Sequence, residues 1–346
     1  MPDPRDALLT QLIVDPVGVT DEQAVSLVRE HYGLAVRVAR LTGERDENFK
    51  LTTAAGAEYV LKVASARESP AATELQTAAL LHLERVDPRI PCPRVLRTGD
   101  GEAGVRLRDA NGAQRSAHVL SYLAGRLLCD ADPSSAQREA CGRLAGQLAR
   151  AFGSFSHPGA RRVIIWDVRH VRKLAGVVEE LATLPCQSLA RTFLAQAVPE
   201  AEARLDGLRQ QVVHNDLNRR NILVDPAEQA RITGVIDFGD MVHTALIADV
   251  AVGCAELIPS DCSDVAIANE CVSDFLRGYQ TVMPLLGREL GMLSALVAVR
   301  LFTNAVVNEW YVRNNPFSHH SAAQEPQLLC MQIEFALQLL RQGVES

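Results

Sequence analysis

Val212-Val213-His214-Asn215-Asp216-Leu217-Asn218-Arg219-Arg220-Asn221-Ile222-Leu223-Val224, followed closely by Gly234-Val235-Ile236-Asp237-Phe238-Gly239-Asp240, is the most informative part of this chain. It reads as a polar loop between apolar runs, then a short hairpin that ends in another acid. Such a hairpin brings Asp216, Asn221 and Asp237 to one end of its strands. Phosphoryl transfer asks little covalent chemistry of a protein, but it needs a base to orient the attacking hydroxyl and hard oxygen ligands for magnesium. These three side chains are of the right types. Either fragment alone reads equally well as turn and cap residues of a surface loop. Their conjunction, in this order and at this spacing, is what singles out a site.

Outward from this stretch, residues 137–151, 166–184 and 189–211 are periodic at helical spacing, and helices resume beyond residue 240 through to 340. The N-terminal side differs. Thr20 and Asp21 open a helix over 20–31, and residues 35–41, 48–53 and 58–63 read as strands, the last two joined by Ala54-Ala55-Gly56-Ala57 as a hairpin. A helix over 73–85 ends at Asp87-Pro88, strands follow at 104–108 and 116–122, and Gly125 marks a break. Strands first and helices after predict an α+β chain in two lobes, residues 1–122 and 123–346. No internal repeat is visible.

Composition narrows the function. The 346 residues carry a net charge of −7 and a pI of about 5.8, without the basic stripe that nucleic acid requires. An acidic surface attracts cationic small molecules instead. Met1-Pro2-Asp3-Pro4-Arg5-Asp6 is charged and proline-broken, unlike an export signal, and the apolar run 292–299 is far short of the ~20 residues that span a bilayer. The eight cysteines form no C-x-x-C pair and read as reduced, mostly buried thiols. The expectation is a soluble cytoplasmic chain with no membrane or nucleic-acid partner.

The N-terminal half offers a second chemical signal. Alternation in Glu58-Tyr59-Val60-Leu61-Lys62-Val63 puts Tyr59, Leu61 and Val63 on one face and Val60 with Lys62 on the other. Lysine is rare here, three of the 35 basic residues, so one emerging from a strand at this point stands out from a solvated strand lysine.

H-x-D-x-x-x-x-N followed by D-F-G resembles the catalytic and metal loops of the kinase fold. With D-L-N in the loop and D-F-G-D after it, the pattern is most similar to the aminoglycoside phosphotransferase and choline kinase branch. The resemblance implies a bilobal protein-kinase-like fold with a β-rich N-terminal nucleotide-binding lobe and a helical C-terminal catalytic and substrate lobe. Asp216 would then accept the proton of the substrate hydroxyl, Asn221 would take one magnesium site, Asp237 would bind or bridge both ions, and His214 would brace the loop. Asn215 stands where glycine is usual in that branch, and Arg219 and Arg220 also depart from it; asparagine can still adopt a left-handed backbone. Lys62 would hold the α- and β-phosphates, paired with a glutamate of the next helix. Glu74 resembles that partner, with Glu68 and Glu84 as alternatives.

No G-x-G-x-x-G is present. Gly43-Glu44-Arg45-Asp46-Glu47-Asn48-Phe49 resembles the glycine-poor nucleotide loop of the branch, with Asn48 as a nucleotide-site candidate and backbone amides available to phosphate oxygens. Leu120-Ser121-Tyr122-Leu123 resembles the hinge, which makes Ser121 and Tyr122 the candidates to meet the nucleobase. The whole set looks most like hydroxylysine kinases and their bacterial relatives, over most of residues 34–315. That implies ATP or GTP as donor, Mg2+ as cofactor, and a hydroxylated amino acid such as hydroxylysine as acceptor. The segment Asn314-Asn315-Pro316-Phe317-Ser318-His319-His320 departs from that pattern. Other acceptors to weigh are aminoglycosides, homoserine, choline and ethanolamine. A catalytically silent nucleotide-binding regulator would typically lack the base or a metal ligand. A protein kinase would carry the glycine-rich loop and an A-P-E segment.

An ammonium substrate wants carboxylates and aromatic faces. By position in the helical half, Trp166, Asp167, Asp240, Glu256, Glu309 and Trp310 are the candidates. Asp249 reads as structural, and His319-His320 as a solvated loop pair rather than a metal site.

Overall fold

The computed structural model describes residues 8–9, 12–13, 18–43, 45–109, 111–181, 185–315 and 325–344, with the backbone alone at 202 and 203. Met1 to Asp6, Glu44 and the His319-His320 segment lie outside the described residues.

Helix α1 (Asp21–Tyr32) starts where the Thr20 hydroxyl accepts from Gln23 N at 3.2 Å and Gln23 Oε1 accepts from Thr20 N at 2.9 Å. Next comes an antiparallel sheet of β1 (Val36–Leu41), β2 (Glu47–Thr53), β3 (Glu58–Val63), β4 (Val95–Leu96), β5 (Val105–Arg108) and β6 (Gln114–Ser121). Its order is β1-β2-β3-β6-β4, with β5 also on β6. Strand alternation splits its two faces. Phe49, Leu51, Leu61, Val63, Ala117 and Val119 pack with Ala24 and Val28 of α1 into a small core. The register sets Asn48 opposite Lys62 and Lys62 opposite His118, so these three share the other face.

Helix α2 (Pro70–Val86) is capped by Ser69, whose hydroxyl accepts from Ala72 N at 3.3 Å, and Pro70 occupies its first turn. Although it precedes β4 to β6 in the chain, Leu75, Ala79, Leu80 and Leu83 bury into the larger core of the helical half. The chain crosses through residues 122–125 into β7 (Arg126–Leu127) and α3 (Ser135–Phe152). α3 packs along α7 (Val265–Gln280) at Gly142 and Gly278, where an added Cβ would collide with Phe275 O and Glu139 O respectively. Glycine therefore sets how close the two helices come.

Two sequence expectations need correcting here. The helix foreseen over 166–184 is instead a 3-10 segment, Val168–Lys173, and the short α4 (Leu174–Glu180); Asp167 Oδ1 caps the segment by accepting Arg169 N at 3.0 Å, and His170 leaves helical angles. The helix foreseen over 189–211 is α5 (Gln187–Leu205), after which β8 (Gln210–Val213) begins. β8 pairs with β11 (Val242–Ala245), while β7, β9 (Ile222–Val224) and β10 (Ile232–Val235) form a three-stranded sheet. β10 stops short of Asp237 because that residue turns to φ +57, outside the extended region.

The rest is helical: α6 (Leu246–Leu257), α7, α8 (Gly287–Asn314) and α9 (Pro326–Gln342). α8 is long and apolar enough to cross a bilayer by composition, yet 67% of its most apolar stretch is buried inside the protein. It is the central helix of the larger core. All eight cysteines are free. The architecture is α+β and bilobal, a β-rich half followed by a helical one.

Candidate active site

The loop between β8 and β9 is built from the inside out. His214 is fully buried and its ring meets Phe238 edge-on at 4.7 Å. Burial pushes its pKa down to about 4, so the neutral ring accepts the Asp216 amide on Nδ1 at 3.3 Å. Asn215 takes the left-handed conformation, φ +64, and its amide donates to Asp249 Oδ1 at 2.6 Å. These contacts turn Asp216 outward.

Both oxygens of Asp216 are held. Oδ1 accepts from Asn218 Nδ2 at 2.9 Å and Arg300 Nη2 at 3.3 Å, and Oδ2 accepts from Asn221 Nδ2 at 2.7 Å. Burial first, and then the negative field of Asp240, raise its carboxyl pKa above the ordinary carboxylate range, while Arg300 pulls it back down. Asn221 is itself locked, its carbonyl accepting Ile236 N at 2.9 Å across the hairpin.

Asp237 reaches the sheet of the other half. Its Oδ1 accepts Lys62 Nζ at 2.6 Å and Gly239 N at 3.2 Å. Burial opposes its charge, but the Lys62 ammonium overrides that and holds the carboxyl well below its usual range. Lys62, 8% exposed, also has Asp46 Oδ2 at 3.3 Å. Burial disfavours its charge, and the two carboxylates hold it protonated above the ordinary lysine range. A second link between the halves joins Arg45 Nη2 to Asp240 Oδ1 at 2.7 Å.

A cavity of about 430 Å3 opens beside Asp216, lined among others by Trp166, Arg219, Arg220, Asp240, Glu256 and Arg300. Arg300 is one of its lining residues. It is buried, donates from Nε to Glu256 Oε1 at 3.0 Å and from Nη1 to Trp166 O at 3.2 Å, and lies 5.2 Å from the Trp166 ring centre.

The phosphotransferase enzyme family matches this chain over residues 37–288. The chain belongs to that family. Hydroxylysine kinase of Mus musculus is 28% identical over 311 residues, covering 83% of this chain and 81% of the relative. Homoserine kinase of Methylobacillus flagellatus is 28% identical over 314 residues, covering 84% and 89%. Amicoumacin kinase, solved with AMP-PNP, Ca2+ and Ami, superposes with a TM-score of 0.70 at 16% identity over 94% of both chains. A microcompartment-associated aminopropanol kinase gives 0.64 at 16% identity over 92% of this chain and 95% of its own. The fold is thus kinase-like, and the chain is a phosphotransferase with sequence similarity to hydroxylysine and homoserine kinases.

Within the phosphotransferase, Asp216, Asn221, Asp237 and Lys62 converge, and Trp166, Asp240 and Glu256 line the cavity. Other candidates lie elsewhere. Glu74 does not reach Lys62: its side chain is 63% exposed and faces Arg106 at 3.8 Å. Two helical positions differ by ~200° in direction, and α2 is docked so that Gln76 is buried instead. A methyl group at Gly239 would lie 3.8 Å from Lys62 Nζ and 3.9 Å from Gln76 Nε2. Glu68 faces Arg162 at 3.5 Å, and Glu84 is exposed.

Asn48 sits opposite Lys62 beneath Gly43, where an added Cβ would come 2.7 Å from its Nδ2. The amides expected to meet a nucleobase are engaged: Ser121 N donates to Arg94 O at 2.8 Å and Tyr122 N to Glu58 O at 3.2 Å. The Tyr122 ring lies under Lys50 at 4.0 Å. Asp167, Glu309 and Trp310 do not line the cavity. Asp167 accepts Thr244 Oγ1 at 3.2 Å in the core, Glu309 accepts Arg313 Nε at 2.7 Å, and Trp310 Nε1 donates to Glu180.

Asp46, Gln76 and Arg300 were not foreseen from the sequence. Asp46 lay within the segment read as the nucleotide loop without being singled out, and Arg300 appeared only as the charge that ends the apolar run 292–299.

Proposed function

We propose that this enzyme transfers the γ-phosphoryl group of ATP or GTP to a hydroxyl of an amine-bearing metabolite, with a hydroxylated amino acid such as hydroxylysine as the preferred acceptor. The observation that carries the reading is Asp216, held by Arg300, Asn218 and Asn221 at a cavity whose wall mixes Asp240 and Glu256 with Arg219, Arg220 and Arg300. Carboxylates there suit the ammonium of the acceptor and guanidinium groups its carboxylate. A polycation would be repelled by the second set.

In this reading the β-rich half, residues 1–122, carries the donor, and residues 123–346 carry the acceptor. Lys62 binds donor phosphates, with Asn48 near them in the sheet. Asp216 takes the hydroxyl proton as the oxygen attacks, and its three hydrogen bonds orient it. Asn221 and Asp237 would hold magnesium. The donor set fits: with its Nδ2 directed at Asp216, Asn221 offers its amide oxygen, and Asp237 offers a carboxylate. Magnesium prefers one or two such ligands and completes its shell with water and phosphate. When bound it would neutralise charge developing on the phosphates.

The test is a nucleotide-consumption screen with ATP and GTP side by side against hydroxylysine, homoserine, ethanolamine, choline and an aminoglycoside. The expected result is highest kcat/KM for the hydroxylated amino acids. Faster turnover of the aminoglycoside would overturn the acceptor class, and nucleotide binding without turnover of any of them would point to a silent regulator.

A further inference from the structure

Lys62 has two carboxylate partners, and they differ in kind. Asp237 is the group proposed above to hold the metal, a role that would compete with its contact to the lysine. Asp46 has no such second role. Its Oδ1 accepts Ser65 N at 3.1 Å, three residues beyond Lys62 and just past the end of β3, while its Oδ2 faces Nζ at 3.3 Å. One carboxylate thereby bridges the lysine and the backbone that carries it.

The segment holding Asp46 is fixed on both sides. Arg45 is tied to Asp240 at 2.7 Å, and Glu47 accepts Val19 N at 3.0 Å and pairs with Arg40 at 3.2 Å and with Arg115. Three consecutive residues are thus each bound to a different element. Helix α2 contributes no carboxylate, because Glu74 faces outward and the buried Gln76 is neutral.

We infer that Asp46, carried by the loop between β1 and β2, is the positioning residue that anchors Lys62 for phosphate binding, in place of a glutamate from α2. The inference rests on the reading of Lys62 as a nucleotide ligand. It makes the loop over the phosphates and the anchor of the lysine one element, so that the two assemble together.

The test measures the Kd of magnesium-ATP and magnesium-GTP by calorimetry without acceptor, and KM for donor and acceptor separately, in the full-length chain. A hydrogen bond to a charged group is typically worth ~1.5–3 kcal/mol, so Asp46→Asn is expected to weaken nucleotide binding ~10-fold or more. Acceptor KM should stay within about twofold, a split that general unfolding would not produce. Asp46→Glu, which restores the charge, should recover part of the loss, and Glu74→Gln should leave nucleotide Kd unchanged. Unchanged or tighter nucleotide binding by Asp46→Asn would overturn the inference, the tighter case meaning that Asp46 competes with phosphate for the lysine. So would a loss reproduced by Glu74→Gln. A parent protein that binds neither nucleotide would instead sink the kinase reading, and this inference with it.

Discussion

Arg300 Nη2 lies 3.3 Å from Asp216 Oδ1, although 84 positions separate the two residues. The same guanidinium holds Glu256 and the Trp166 carbonyl, so one planar fork keeps two carboxylates and a loop in place. Arginine suits this task because its donors are spread over a rigid plane, whereas lysine offers one compact charge. Arg300→Met leaves Asp216 and Glu256 without their shared cation. Breaking a buried pair this way costs ~3–5 kcal/mol, and urea unfolding should show a loss of that order. Arg300→Lys should fold better yet keep a reduced kcat, because an ammonium cannot meet all three acceptors. Full kcat for Arg300→Lys would show that orientation of Asp216 does not depend on the fork.

The roles of Asp216 and Asp237 separate in binding experiments. Asp216→Ala removes the proposed base and should lower kcat ~10²–10⁴-fold while nucleotide Kd barely moves. Asp237→Ala removes a carboxylate from both Lys62 and the proposed metal site, so it should lower activity and weaken magnesium-nucleotide binding together. Calorimetry on both variants decides. Parental nucleotide affinity in Asp237→Ala would remove that residue from the metal site.

Asn215 is buried in a left-handed conformation, φ +64, and its side-chain amide finds no partner among the described residues. A Cβ in this region costs ~1–2 kcal/mol relative to glycine. Asn215→Gly should therefore be more stable than Asn215→Ala by about that amount in thermal or denaturant unfolding. Equal stabilities would mean that the loop relaxes out of this conformation once the asparagine is gone.

Asp249 supports the same loop, accepting the Asn215 amide at 2.6 Å, and burial pushes its carboxyl up to about 6 in spite of that bond. A carboxyl raised on folding contributes stability that is complete below its unfolded pKa, near 4, and is lost as pH rises through about 6. At ~1.4 kcal/mol per pKa unit, the swing is about 3 kcal/mol. Asp249→Asn does not titrate, so its stability should gain on the parent by roughly that amount between pH 4 and pH 7.5. A difference between the two proteins that stays constant across this range would show that Asp249 titrates normally when folded.

The centre of the site was legible because its signals are local. Asp216 and Asn221 lie on one loop, Asp237 on the hairpin that follows, and the alternation of β3 alone turns Lys62 away from the Leu61 and Val63 face. Substrate candidates taken only by position divided differently: Trp166, Asp240 and Glu256 meet the cavity, while Asp167, Glu309 and Trp310 are engaged in helix and core contacts. Position along a helical lobe says that an acid is available, and its docking says which way it faces.

The sequence by itself determined which polar groups the loop and hairpin bring together, the order of a β-rich half and a helical one, and the face of β3 from which Lys62 emerges, because each depends on neighbours a few residues apart. Tertiary structure alone decided that Asp46 rather than Glu74 meets Lys62, that Arg45 crosses to Asp240, and that Arg300 stands behind Asp216. Those pairings depend on the rotation of α2 about its axis and on how α8 and the β1–β2 loop dock. Such docking is set by side chains filling a shared core, and it leaves no period or spacing in the chain from which to read it.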